Sequence, residues 1–123
     1  MAERKSRIIY KIATRVMWAE ALEAGHFTGS ADDARDGFIH FSTAEQLAET
    51  ARKHFFGQSD LVLIAVDSDR LGMALVWEAS RNGASFPHLY APLPIDAALW
   101  SRSLPTGPDG TPDVTRALEN EGR

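Results

Sequence analysis

Leu61-Val62-Leu63-Ile64-Ala65-Val66 is an unbroken apolar run, closed by Asp67 and preceded by the polar segment Gln58-Ser59-Asp60. It is too short for a typical helix and rich in branched side chains, so it reads as a strand. No position alternates to a polar residue. The strand is therefore expected at the centre of a sheet, buried on both faces.

The rest of the chain is read around that strand. Ile8-Ile9-Tyr10-Lys11-Ile12 is a first strand. Thr14 can cap a helix of about ten residues on which Trp18, Ala21 and Leu22 recur at helical spacing, with Gly25 as its stop. His26 to Asp36 is polar and turn-rich and is expected to be a loop. Gly37 to Phe41 is a short second strand. Ser42 with Glu45 three positions on reads as a capping box for a helix carrying Leu47, Ala51 and Phe55 and ending at Gly57. Asp67 to Gly72 turns the chain, and Met73 to Glu78 is expected to form a hairpin with the central strand.

Ser80 to Ser85 is a loop around Asn82-Gly83, and Phe86 to Tyr90 is an extended segment whose Pro87 suggests a sheet edge. Ile95 to Leu104 closes the sheet. Residues 105–123 accumulate Pro, Gly and Asp and are expected to be a loose tail with a frayed helix near Ala117. Helices come early and strands late. The expected fold is one α+β domain over 8–104, with a mixed, mostly antiparallel sheet and two helices in the N-terminal half.

Composition narrows the function. The 123 residues fit one domain, and the chain has no Cys, which excludes disulfides, thiolate zinc sites and a thiol nucleophile. The net charge is −4 with both signs interspersed, which argues against a face for duplex nucleic acid. Met1 to Arg7 is charged, and Lys11 cuts the apolar run behind it. Neither a signal-peptide core nor a membrane span is expected, so the chain reads as a cytoplasmic protein with no membrane partner. No Gly-rich loop joins a strand to a helix, so Rossmann and P-loop readings have no support.

The chemistry-bearing residues gather around two histidines. Strand alternation puts Phe38, His40 and Ser42 on one face, at the mouth where a strand hands over to a helix. Unpaired N–H groups at a helix start can hold a phosphate. The structural alternative is a histidine bonded to backbone beside a capping serine. Alternation likewise groups Phe86, His88 and Tyr90, either as a stacking platform for a planar ring or as core packing. Glu78 ends an apolar strand and is either an exposed carboxylate or a base and ribose ligand. Lys11 is either a strand-edge charge or a pocket cation. His40, His88 and Glu78 could also supply a two-His, one-carboxylate metal set, although their spacing carries no metal signature.

The segments Ile9-Tyr10-Lys11-Ile12, Gly37-Phe38-Ile39-His40-Phe41-Ser42, Trp77-Glu78 and Phe86-Pro87-His88-Leu89-Tyr90, in this order, resemble the DUF952 family of small bacterial proteins of unknown function. The resemblance spans about residues 8 to 104. It implies an ADP-ribosyltransferase-like fold, with the NAD-using RNA 2′-phosphotransferases as the nearest analogy. Lys11 stands where that superfamily commonly places histidine.

The implied function is binding of NAD or a related small-molecule nucleotide in a cleft. Lys11, His40 and Ser42 would meet ribose and phosphate, and His88 and Tyr90 the base or nicotinamide. Were it an ADP-ribosyl- or phospho-transferase, Glu78 and His40 would be its catalytic groups. The alternatives are a non-catalytic nucleotide- or protein-binding module and the two-His metal site.

Overall fold

The computed structural model describes residues 8–80 and 83–119. The charged Met1–Arg7 segment and Asn82 of the expected Asn-Gly turn lie outside the described residues. The chain forms an α+β fold in which every strand pairing among the described residues is antiparallel. No helix among those residues is long and apolar enough to cross a membrane.

The central sheet contains β1 (Ile8–Thr14), β4 (Leu61–Asp67) and β8 (Ala98–Leu104), with β4 in the middle. The apolar run is thus the central strand, and Leu61 to Val66 are all buried. Its two faces feed two cores. Val62, Ile64 and Val66 join Ile9 and Ala13 beneath Trp18 and Ala21 of α1 (Arg15–Ala24). Leu61, Leu63 and Ala65 join Tyr10 and Ile12 beneath Leu47 and Ala51 of α3 (Ala44–Phe55).

The first core is covered further by two small sheets. One pairs β2 (His26–Phe27) with β7 (Leu93–Pro94). The other contains β3 (Ile39–His40), β6 (Ser85–Leu89) and β5 (Leu75–Ala79), with β6 in the middle.

Several expectations are corrected. The segment His26 to Asp36 is not a loop: after β2 it forms α2 (Ala31–Asp36), capped by a reciprocal Ser30–Asp33 box. Its only buried side chain is Asp33, so no apolar stripe announced the helix. The cap of α3 is Thr43, boxed with Gln46, and not Ser42 with Glu45. Ser42 is held by its backbone, which exchanges hydrogen bonds with Tyr10 of β1 at 2.8 and 2.9 Å.

Met73 to Glu78 does not pair with the central strand, both of whose edges are taken by β1 and β8. Two 3-10 turns at Ser68–Arg70 and Gly72–Ala74 separate it from β4, and β5 pairs with β6. Pro87 is therefore in a central strand of its sheet. It is tolerated because β3 is only two residues long: the Phe41 N–H donates to the Pro87 carbonyl at 3.0 Å and the ladder ends there. In the segment expected to be loose, α4 (Val114–Glu119) packs Val114 and Ala117 into the second core. Thr106 and Pro112 also bridge there.

Candidate functional site

The β3-β6-β5 sheet has a core face and an outward face. Ile39, Leu75 and Leu89 point into the first core. Across the sheet His40 lies opposite His88, Val76 opposite His88, and Glu78 opposite Phe86, so these side chains share the outward face. The 48 positions between His40 and His88 thus fold into direct cross-strand neighbours, with ring centroids 5.5 Å apart. Phe38 lies over them. Its ring stacks on His88 at 4.0 Å and 23°, and sits 4.6 Å from His40 and 5.2 Å from Tyr90.

Each histidine is buttressed by carboxylates, but differently. His88 Nδ1 donates to Glu78 Oε1 at 2.7 Å, and the Tyr90 hydroxyl donates to the same oxygen at 2.8 Å. These two bonds hold the Glu78 carboxyl below its ordinary range, and the bond to Glu78 in turn raises the Tyr90 phenol. A carboxylate only accepts, so the Glu78 contact fixes the proton on His88 Nδ1 and leaves Nε2 of the neutral ring as an acceptor. Neither His88 Nε2 nor Glu78 Oε2 has a protein partner among the described residues.

His40 instead has a carboxylate at each nitrogen: Asp33 Oδ1 lies 2.6 Å from Nδ1 and Asp36 Oδ2 2.9 Å from Nε2. Only the Asp33 contact has hydrogen-bond geometry; the Asp36 carboxylate lies close to Nε2 without it.

Asp33 links this surface to the interior. Its side chain is 2% exposed and accepts from Lys11 Nζ at 2.8 and 3.1 Å, from the His40 N–H at 3.2 Å and from the Ser30 N–H at 2.8 Å. Burial opposes its charge, yet the His40 hydrogen bond, the Lys11 ammonium and the Ser30 N–H hold the carboxyl well below the usual range. Burial pushes the Lys11 ammonium down, against the pull of Asp33. Lys11 Nζ completes its shell on the His40 carbonyl at 3.0 Å. Gly29, at φ +104°, makes room for all this: a Cβ there would sit 2.7 Å from Asp33 Cβ.

The structure therefore brings His40, His88, Glu78 and Tyr90 together. Lys11 lies directly behind them, bonded to Asp33 rather than open to the surface. Ser42 is not in the cluster. It is buried, and its hydroxyl lies 3.0 Å from that of Thr50 on α3. Sequence reasoning missed Asp33 and Asp36. The Ser30-x-x-Asp33 spacing was the available signal for the first, and nothing local marked the second. No group of three His, Asp or Glu side chains among the described residues is placed to hold a metal.

No curated protein matches this sequence. The crystal structure of protein CC0527 from Caulobacter crescentus is 49% identical, covers 91% of this chain and 98% of that one, and superposes with a TM-score of 0.88. The solution NMR structure of CC0527 is 49% identical over 94% of this chain and 99% of that one, with a TM-score of 0.82. The family model described as a protein of unknown function, DUF952, matches residues 12–101, and the chain belongs to that family.

Proposed function

We propose that the outward face of the β3-β6-β5 sheet binds a nucleotide of the NAD class, on a fold of ADP-ribosyltransferase-like ancestry. The observation that carries this reading is the pair His88 Nε2 and Glu78 Oε2, neither with a partner among the described residues, beside the exposed ring of Tyr90 and the half-buried ring of Phe38. Two adjacent acceptors match ligand groups that donate, such as ribose hydroxyls or a carboxamide. Aromatic faces match a planar base.

The charge balance orients the ligand. Asp33, Asp36 and Glu78 are carboxylates, and the Lys11 ammonium is engaged by Asp33. A phosphate would meet like charge here, so the ribose–nicotinamide end occupies the cluster and the phosphates lie away from it. Lys11 is accordingly a positioning residue. It holds Asp33, which holds His40.

Calorimetric titration with NAD, ADP-ribose and nicotinamide riboside tests this. Binding is expected for NAD and nicotinamide riboside. Glu78→Gln should weaken it, because the ligand then loses a hydrogen bond to a charged acceptor. No measurable binding of any of the three would overturn the reading.

A further inference from the structure

Met73, Val76, Trp77 and Tyr90 are half of the exposed large apolar side chains among the described residues, and they gather on and beside β5. Met73, in the turn that leads into the strand, is 95% exposed, Trp77 40% and Val76 37%. Strand alternation puts Val76 on the outward face with Glu78, and Trp77 on the opposite face. The apolar surface therefore straddles the strand.

β5 is also an edge of its sheet. The Tyr90 N–H donates to the Ala74 carbonyl and the Ser80 N–H to the Ala84 carbonyl, each at 2.8 Å, so the even-numbered residues turn their backbone groups toward β6. By alternation Trp77 and Ala79 turn theirs to the open side, where they meet no partner among the described residues. Nothing blunts this edge. The strand has no Pro and no Lys, its register against β6 is regular, and its one charge, Glu78, is bonded to His88 and Tyr90. β8 has an open side as well, but its exposed positions are Leu99, Ser101 and Ser103.

We propose that β5 is a dimerisation edge, on which a second copy of this chain pairs antiparallel about a twofold axis at Trp77. The strand complements itself over its full length. Trp77, its midpoint, meets Trp77 of the second copy, Leu75 meets Ala79, and Val76 meets Glu78. Outward backbone groups then bond outward backbone groups, the exposed indoles form a cross-strand aromatic pair, and no like charges lie directly opposite. The contact is isologous and closes at two copies. It joins two three-stranded sheets into one and sets Val76 of the second copy beside Glu78, the carboxylate that holds His88.

Light scattering on a gel-filtration column reads the mass, which is expected to be twice the 13.5 kDa of one chain. Ala79→Pro removes an outward N–H and spares the ladder to β6, and Trp77→Lys sets two ammonium groups against each other. Each should raise the dimer dissociation constant roughly 10-fold or more. The chain has no Cys, so an introduced one reports its own neighbour. Opposed residues of a hydrogen-bonded pair sit about 5.5 Å apart at Cα, within reach of a disulfide. Trp77→Cys is expected to cross-link two copies under mild oxidation, and Ser101→Cys on β8 is not. Circular dichroism of each variant checks that the fold is retained.

None of these readouts depends on a nucleotide. A wild type that stays monomeric from micromolar to millimolar concentration overturns the proposal. So does a dimer that Ala79→Pro and Trp77→Lys both leave intact, or one that cross-links through Ser101→Cys and not through Trp77→Cys.

Discussion

Asp33 is the residue on which interior and surface depend together, because one carboxylate neutralises a buried ammonium and orients an imidazole. Removing its charge leaves Lys11 buried without compensation. Asp33→Asn should therefore cost about 3–5 kcal/mol in urea denaturation at neutral pH. Adding Lys11→Met to that variant should recover part of the loss, since the stranded charge is then gone.

The same residue sets an acid limit. The folded carboxyl lies below its unfolded value of about 3.9, so its stabilisation is complete above that value and lost as pH falls through the folded one. Wild type should lose stability steeply below about pH 4, and Asp33→Asn should show a shallower slope there. Parallel slopes in urea titrations at several acid pH values would refute the role of this pair. Gly29→Ala would combine a left-handed backbone with a contact against Asp33, and should cost more than about 1 kcal/mol by thermal unfolding.

At the scale of elements, the site is assembled by unusually short pieces. β3 has two residues and α2 has six, yet they supply His40, Asp33 and Asp36. Such pieces persist because their ends are tied: Ser30 to Asp33, Thr43 to Gln46, and the Gln46 side chain across to the Ser85 carbonyl at 2.7 Å. Thr43→Ala should cost about 1 kcal/mol through loss of the α3 cap. Glu45→Ala, at the position where the sequence suggested the box partner, should stay within about 0.5 kcal/mol. Chemical denaturation of the two variants separates them.

This contrast also shows what was legible in the chain. β4, α1, α3 and β8 announced themselves through apolar runs, helical spacing and stop signals, because packing selects those patterns. Alternation grouped His40 with Phe38 and His88 with Phe86 and Tyr90, and the family likeness brought the two groups into one site. α2 was hidden because its inward residue is a carboxylate. The β5–β6 pairing was hidden because no local signal says which strands already flank β4. Lys11 had a readable face but an unreadable partner, since Asp33 lies 22 positions away.

For the whole molecule, β4 makes two cores into one cooperative unit. Leu63 faces α3, and Ile64 faces the side of α1 and the small sheets, both fully buried. Leu63→Ala and Ile64→Ala should each cost about 2–5 kcal/mol. Each should also lower a single unfolding transition seen alike by tryptophan fluorescence and by far-ultraviolet circular dichroism. Separated transitions would mean that the layers melt independently.

Neither core draws on the outward face of the β3-β6-β5 sheet, whose side chains stand beyond the layer formed by Ile39, Leu75 and Leu89. Mutations on that face can remodel the surface while leaving the scaffold's stability almost untouched, unlike changes to Asp33 and Lys11 behind it. The side chains of this face can therefore change faster than the architecture beneath them. The 49% identity shared with the Caulobacter protein speaks for the shared scaffold and not, by itself, for this one surface.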